Sequence, residues 1–473
     1  MDTRLIAKNA AALGISGLAA KAIAAIVGIW VTRYLGPGPF GDYSIAYAYV
    51  TTFILAAEMG ISQLMVQEGS RDPAVLPQYF GNALLFKAFI AVIVYLLMLG
   101  FIPAGYSGNT KWMIVILGMA VGFNALNQTV YNYYQATQEM YLAAFYQFFN
   151  TLLIGVLTMG VIFLNRGVVA ITVTHLLSYI VISVLLWLAL RGKIKPRVVM
   201  DEMKRMVVSG LPFGIHRLFY LFYFQLSILV LSLICTNVEV GVFSAAYKLV
   251  LMLVFLPGLL TSAIYPVLFQ LGVSDQDRHR QAEEKVFKLL AAVGIPCSTL
   301  ICVLAAPLTG WLYKGAFDQA IPILMILSWF LAFECMSFTL GDVLTTTNRQ
   351  WQRALVQGTA LIGLYLLTRL FYSYWGIYGA AYAIMVIEVY IFIGYYILVR
   401  FGVYNIHIFR QLPLIIASST AMGFLAYLLR GCHPLLVCSL AGITYVILMG
   451  VFDRDFRSVG TDLGRRGLRF VKR

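Results

Sequence analysis

The chain has 473 residues, of which 61% are hydrophobic and only 11% are charged, and its formal net charge is +14. Its mean hydropathy of +0.85 lies far outside the range of soluble domains. A soluble core could not bury this much apolar surface. The composition therefore indicates a membrane protein and excludes a soluble enzyme.

Apolar stretches recur along the whole chain. A helix needs about 20 apolar residues to cross the hydrocarbon layer, and the chain divides into about fourteen such stretches. We predict an all-α polytopic membrane protein with about 14 transmembrane helices. The approximate spans are 9–32, 42–66, 81–103, 112–135, 142–164, 167–190, 207–234, 240–267, 286–306, 320–347, 352–372, 376–399, 411–430 and 434–452.

The sequence contains an internal repeat. Gly41–Tyr47 (GDYSIAY) returns as Gly241–Tyr247 (GVFSAAY) at a spacing of 200, and Thr151–Gly155 returns as Thr359–Gly363 at a spacing of 208. The repeat predicts two pseudo-symmetric six-helix lobes followed by two further helices. Membrane proteins built in this way usually hold a solute site where the repeats meet and alternate access to it, so the repeat indicates transport.

The repeat and the spans predict four regions. These are an N-terminal lobe at 1–195, a C-terminal lobe at 196–405, a two-helix hairpin at 406–453 and a basic tail at 454–473.

Basic residues are unevenly distributed between the predicted loops. With a cytoplasmic N-terminus, both termini and the loops after even-numbered helices carry 24 of the 34 basic residues, and the odd-numbered loops carry four. Lys and Arg are retained on the cytoplasmic side, so we predict that both termini are cytoplasmic. The positive charge then reflects topology and contact with anionic lipid, and we predict no nucleic-acid partner. We expect the first helix to serve as the targeting signal, because residues 1–12 lack the pattern of a cleavable signal peptide.

No catalytic or metal-binding pattern stands out. The longest predicted connection, Gly272–Lys285, is too short for the outer domain that a membrane glycosyltransferase, polymerase or ligase needs. The six cysteines have no CxxC or Cys/His metal spacing. His175 on an apolar helix is typical of a hydrogen-bonded interior residue. We predict no enzyme activity, cofactor or metal.

A longer motif carries a family resemblance. Arg33–Ser44 (RYLGPGPFGDYS), preceded by Lys8-Asn9 and followed by Glu58–Ser62 (EMGIS), resembles the start of bacterial polysaccharide transporters. These are the lipid-linked oligosaccharide flippases of the multidrug/oligosaccharidyl-lipid/polysaccharide (MOP) exporter superfamily. Ala246–Leu249 (AYKL) matches a recurrent pattern in the second half. Glu58 departs from the Asp of many relatives but keeps the charge.

The resemblance implies two six-helix lobes around a central cavity, with two additional C-terminal helices. It implies a flippase that moves undecaprenyl-pyrophosphate-linked oligosaccharide from the inner to the outer leaflet of the bacterial inner membrane. The expected partners are this lipid-linked oligosaccharide, the phospholipid bilayer, a H⁺ or Na⁺ counter-ion and other polysaccharide assembly proteins.

Three cations fall deep inside predicted helices. At 1.5 Å per residue, Lys21 is about 18 Å from both ends of its helix, and Arg217 and Lys248 are about 15 and 12 Å from the nearer end. A lipid-facing charge at such depth costs about 2.5–3.5 kcal/mol, so all three should face protein or a wet cavity. We predict that they bind the pyrophosphate. Because Gly14 and Gly17 share a face with Lys21, we also expect close helix packing there.

The alternative reading of these cations is structural. They could pair with buried acids, Glu58, Glu334 or Glu388, and hold helices together. Lys87 lies nearer a helix end, where we expect its side chain to reach the inner interface.

Acidic and aromatic residues complete the predicted sites. At an offset of 210, Asn124 corresponds to Glu334 and Asn132 to Asp342. Intramembrane carboxylates often mark ion pathways, whereas amides are more often contacts between helices. Glu334 is the first candidate for ion coupling. The other candidates are Glu58, Glu388 and Asp342.

Two tyrosines, Tyr47 and Tyr247, repeat between the lobes and are candidate cavity residues, although such aromatic stripes are more often packing or interfacial.

The internal cations favour an anionic substrate. The alternatives are a multidrug or organic-cation extruder of the same superfamily, whose cavity should be acidic, and a membrane-embedded glycan polymerase or ligase.

Overall fold

The computed structural model describes the backbone of residues 3–58, 61–261 and 264–453. The side chains that it describes are those of residues 14, 16–53, 61–62, 64–207, 218–261, 264–265 and 267–453. The side chains of Glu58 and Arg217, and the basic tail at 454–473, lie outside this description.

The chain forms two compact units, Met1–Ser244 and Ala245–Arg473. The repeat boundary near residue 195 stays a prediction, because compactness and sequence repetition are different criteria. The helices of the first unit are α1 (Thr3–Leu35), α2 (Pro37–Glu58), α3 (Ile61–Arg71), α4 (Leu76–Gly100), α5 (Gly108–Ala136), α6 (Met140–Phe163), α7 (Gly167–Leu190) and α8 (Met200–Ile234).

Helix α9 (Asn237–Leu251) begins in the first unit and ends in the second. The second unit continues with α10 (Phe255–Thr261), α11 (Tyr265–Ser274), α12 (Gln276–Val303), α13 (Ala305–Tyr313), α14 (Ala320–Thr346), α15 (Gln350–Trp375), α16 (Ile377–Gly402), α17 (Leu412–Leu428) and α18 (Pro434–Phe452). In this unit α14 packs against α12 and α16, and α17 packs against α12 and α18.

The prediction of an all-α polytopic membrane protein is confirmed. Twelve spans in the described part of the chain are long and apolar enough to cross a membrane. The two other predicted spans correspond to α2, which has 22 residues, and to the apolar part of α8 at Leu218–Ile234.

One predicted span is interrupted rather than continuous. The stretch 240–267 contains α9, α10 and the start of α11. Proline explains the first break, because Pro257 cannot donate to the carbonyl four residues earlier and its ring clashes with it. The chain accordingly leaves the helix at 252–254, before Pro257.

The predicted loop Gly272–Lys285 is mostly helical, which corrects the sequence prediction. Asp275 caps α12, because its carboxylate accepts a hydrogen bond from the Arg278 amide at 3.0 Å. Side-chain ion pairs Asp275–Arg278 and Asp277–Arg280, both at 3.3 Å, support the first turns. α12 therefore begins with a polar segment that a search for apolar stretches misses.

The Gly36–Pro39 motif contains the end of one helix and the start of the next. Gly36 has φ +67°, which side-chain-bearing residues rarely adopt, and it separates α1 from α2. Pro37 is the first residue of α2, where its missing N–H leaves no helical bond unmade. Asp42 then anchors the start of α2, since its Oδ1 accepts hydrogen bonds from Ser107 Oγ at 2.8 Å and from Asn237 Nδ2 at 2.7 Å.

The repeated glycines meet within the first unit. A Cβ on Gly41 would lie 1.7 Å from the carbonyl oxygen of Asn237, and a Cβ on Gly241 would lie 1.8 Å from that of Pro37. Adding 200 to the numbers of Pro37 and Gly41 gives Asn237 and Gly241. The repeat therefore relates the contact Gly41–Asn237 to the contact Gly241–Pro37. Only glycine permits this approach of α2 and α9.

We predict that Gly41→Ala and Gly241→Ala each destabilise the protein by about 1–3 kcal/mol, because an added methyl group must push two backbones apart. Thermal unfolding of the purified protein measures the effect. Gly160→Ala is the control, since nothing lies within 4 Å of its added Cβ. Equal stability of the three variants would show that the close approach does not exist.

Candidate functional site

The first unit contains a cluster of aromatic and imidazole side chains. The Tyr43 hydroxyl and His175 Nε2 are 3.3 Å apart, and the Tyr43 and Tyr47 ring centroids are 6.2 Å apart. Tyr179 lies close enough to both tyrosines to interact electrostatically. The spacing i, i+4 explains the cluster, because it places Tyr43 above Tyr47 on α2 and His175 above Tyr179 on α7.

Tyr47, a predicted cavity residue, keeps 43% of its surface exposed within this cluster. The Tyr47 side chain is thus partly accessible next to other polar groups. His175 has the interior hydrogen bond expected of it. The sequence did not single out Tyr179, although its position one turn after His175 was a usable signal.

Amide groups support the cluster from neighbouring helices. Asn150 on α6 accepts a hydrogen bond from Ser178 Oγ at 2.9 Å. Asn127 on α5 accepts one from Ser183 Oγ at 2.7 Å and donates to the Tyr179 carbonyl at 3.2 Å. These bonds connect α5 and α6 to α7 and fix the backbone that carries His175 and Tyr179.

Lys21 lies on an exposed part of α1. The predicted close packing beside it is wrong, because a Cβ on Gly14 or Gly17 would meet nothing within 4 Å. α1 instead packs closely on α6 at Gly155, whose Cβ would lie 3.3 Å from Ile23. Among the described residues, the backbone of α1 therefore has open space beside it at Gly14 and Gly17.

The second unit brings together three of the predicted residues. Tyr247 is buried, and the carboxylates of Glu388 and Glu334 both act electrostatically on its hydroxyl. Both acids are themselves buried, on α16 and α14. The Tyr247 ring also packs edge-on against Phe330, with centroids 6.5 Å apart.

Lys248 follows Tyr247 directly and lies in the last turn of α9. A cation in this position stabilises the negative end of the helix dipole. The helix ends three residues later, before the 252–254 break. Discontinuous helices of this kind place backbone polar groups inside transporters, where they can meet a solute.

Asp342 forms an ion pair rather than standing alone. Its Oδ1 lies 3.3 Å from Arg353 Nη1, which also donates to Thr345 Oγ1 at 2.9 Å. Gly341 makes room for the guanidinium, because a Cβ there would lie 2.9 Å from Arg353 Cζ. Tyr265 of α11 donates a further, long hydrogen bond to Asp342 at 3.4 Å. The pair fixes the turn between α14 and α15.

Lys87 does not reach the interface as predicted. Its side chain is 1% exposed, and Nζ donates to Ser62 Oγ at 2.7 Å. Lys87 is therefore a buried cation that connects α4 to α3.

Among the described residues, no group of three or more His, Cys, Asp or Glu side chains is placed to hold a metal ion. The polar clusters described above are thus hydrogen-bonding and charged sites.

Comparison with known proteins identifies the family. The sequence model of a family described as polysaccharide biosynthesis protein matches residues 6–272, more than half of the chain. No curated protein matches the chain significantly.

Solved structures share the fold. Lipid II flippase MurJ, in an inward closed conformation, is 15% identical with a TM-score of 0.77, over 94% of this chain and 99% of MurJ. An inward-facing multidrug resistance MATE family transporter of the MOP superfamily is 17% identical with a TM-score of 0.66, over 80% of this chain and 92% of its own. A MOP superfamily transporter from Pyrococcus furiosus is 15% identical with a TM-score of 0.56, over 82% of this chain and 95% of its own.

Identities this low show the fold alone, whereas the family match covers most of the first unit and the start of the second. The chain therefore belongs to the polysaccharide biosynthesis protein family and has the multi-pass fold of MurJ and the MATE transporters.

Proposed function

We propose that this protein is a flippase that moves an oligosaccharide linked to a polyprenyl pyrophosphate from the inner to the outer leaflet of the bacterial inner membrane, by alternating access. The observation that carries the proposal is the polysaccharide biosynthesis family match on a chain whose fold extends over 99% of a lipid II flippase. The name of that neighbour gives lipid II as its cargo, and the description of the family refers to polysaccharide biosynthesis. We combine the two in a lipid-linked glycan as the substrate.

The internal cations support an anionic headgroup. Lys21 on an exposed face of α1 and Lys248 beside the α9 break are the described candidates for pyrophosphate contact. Arg217 is the third candidate on sequence grounds. Charge-assisted hydrogen bonds to phosphate are about twice as strong as neutral ones, so a few cations suffice to select such a headgroup.

The aromatic cluster of the first unit supports a sugar ligand. Tyr47 offers an accessible ring for stacking, and the polar groups of Tyr43, His175 and Tyr179 lie beside it. A ring face next to several hydrogen-bonding groups matches the alternating apolar and hydroxylated surfaces of a sugar.

Glu334 and Glu388 are the proposed ion-coupling residues of the second unit. Both are buried next to Tyr247, and an intramembrane carboxylate marks an ion pathway by default. Glu58 remains a candidate from the sequence. Asp342 is a weaker candidate, because Arg353 already compensates its charge.

The family match favours glycan transport over multidrug extrusion, the alternative within the superfamily. Deletion of the gene tests the choice. We expect lipid-linked glycan to accumulate on the cytoplasmic face of the inner membrane, whereas a drug extruder would leave the glycan unchanged and increase drug sensitivity.

We predict that Lys21→Ala and Lys248→Ala each impair glycan export at matched protein levels, because each removes a charge that contacts phosphate. The loss of one such contact corresponds to about 1.5–3 kcal/mol, roughly a tenfold or larger decrease in affinity. Surface glycan in the complemented deletion strain provides the measurement. Lys193→Ala, an exposed loop cation, is the matched control. Normal export by a Lys21, Arg217 and Lys248 triple alanine variant would contradict the cation assignment.

The orientation proposal, with both termini cytoplasmic, predicts the sidedness of single cysteines in a cysteine-free background. Cysteine at Lys193 or Arg278 should react with an impermeant reagent only in permeabilised cells, and cysteine at Asn109 should react in intact cells. All three positions are exposed, so failure to react reports sidedness. Labelling of position 193 in intact cells would reverse the topology.

A further inference from the structure

A buried imidazole–carboxylate pair lies near the start of α12. His279 and Glu283 are one helical turn apart, both side chains are 0% exposed, and His279 Nε2 lies 3.4 Å from Glu283 Oε1. Neither residue belongs to the sites described above. The sequence placed both in a loop, where they would have been solvated.

The hydrogen bonds of His279 fit a neutral imidazole. Tyr404 lies 3.1 Å from Nδ1, and burial raises the pKa of its phenol, so the O–H stays protonated and donates to this nitrogen. Nε2 then carries the imidazole hydrogen and donates to Thr346 Oγ1 at 3.0 Å. Thr346 in turn donates to the Asp342 carbonyl at 2.8 Å. Each donor and acceptor in this chain is used once.

Glu283 has no comparable set of hydrogen bonds. Neither carboxyl oxygen accepts a hydrogen bond from the described residues, and the approach of His279 Nε2 is shared with Thr346. A buried carboxylate without donors is strongly disfavoured in its ionised form.

Other charges near the pair are already engaged. Arg353 is bonded to Asp342 and Thr345, and Glu284 accepts a hydrogen bond from the His407 amide at 2.9 Å. The titratable and charged groups that surround the pair are Tyr265 on α11, Arg280 and Glu284 on α12, Asp342 on α14, Arg353 on α15, and Tyr404 and His407 on the segment after α16.

We propose that Glu283 is a proton-binding site, in which the carboxyl group holds a proton while the surrounding segments are closed and releases it to water when they open. The closed arrangement requires the protonated acid. Deprotonation leaves an uncompensated buried charge, which is relieved only when water enters.

Two segments close over the site. Gly272 of α11 lies against it, because a Cβ there would be 2.5 Å from the Thr346 carbonyl oxygen and 3.5 Å from His279 Nε2. Tyr404, in the connection between α16 and α17, contributes the hydroxyl that caps His279. Proton release is thus tied to movement of α11 or of this connection. If the proposed flippase function holds, on which this step rests, the same movement couples proton release to the transport cycle.

Infrared difference spectroscopy of the purified protein tests the proton site without any transport assay. We expect the carbonyl band of a protonated carboxyl group in the native protein at neutral pH, and its loss in Glu283→Gln. Glutamine has the shape of the protonated acid, so this variant should fold. Asp277→Asn is the matched control, since Asp277 is 83% exposed on the same helix and should not contribute to the band. An unchanged band in Glu283→Gln would overturn the proposal.

A second variant gives a test that does not depend on the folding of Glu283→Gln. Tyr404→Phe keeps Glu283 but removes the hydroxyl that caps His279, so we expect it to retain the carboxyl band and to exchange the proton faster with solvent after a pH jump. Exchange at the native rate in a folded Tyr404→Phe protein would rule out closure of the site by this segment.

Flipping of lipid-linked glycan in proteoliposomes at several pH values tests the coupling. Glu283→Gln should lose the pH dependence that the native protein and Asp277→Asn display. Flipping by Glu283→Gln with native pH dependence would refute the coupling and leave the flippase proposal intact. Absence of flipping by the native protein at every pH would refute the flippase proposal, while the infrared result would still decide whether Glu283 binds a proton.

Discussion

A charged group inside a membrane protein must find its compensation within the protein, because lipid offers neither water nor counter-ions. Two cations of this chain show how this is achieved. Lys87 donates to Ser62 of a neighbouring helix, and Arg353 pairs with Asp342 across the turn between α14 and α15. Each charge thereby fixes the packing of two helices. Glu283 is different, since its oxygens lack donors among the described residues, and a bound proton meets the same requirement.

Backbone groups obey the same constraint. Helices that break inside the bilayer expose amide and carbonyl groups, which a transporter can use for solute binding. In this chain the interruption at 252–254 follows Tyr247 and Lys248 within a few residues, and Tyr247 lies near two buried carboxylates. Glycines repeated at a spacing of 200 allow the starts of α2 and α9 to approach closely. The duplication therefore preserved this tight contact.

The sequence was sufficient to predict the apolar helices, because the thickness of the hydrocarbon layer sets the length of an apolar span. It was insufficient for polar helices. α12 begins ten residues before its predicted span, with Asp275 as cap, so His279 and Glu283 were taken for loop residues. Partner choice was also hidden: the depth of Lys87 suggested the interface, and nothing local indicated Ser62. Nothing local indicated that Arg353 pairs with Asp342, which lies 11 positions away, beyond a turn.

The central claim is that the protein carries a lipid-linked glycan across the bilayer, and transport by the purified protein tests it most directly. Undecaprenyl-pyrophosphate oligosaccharide is placed in one leaflet of proteoliposomes, and a membrane-impermeant glycosidase outside reports how much becomes accessible. We expect time-dependent exposure of the glycan that requires the native protein and decreases in the Lys21 and Lys248 alanine variants. The account would be contradicted if the glycan became exposed no faster than in protein-free liposomes, although thermal unfolding shows that the protein is folded.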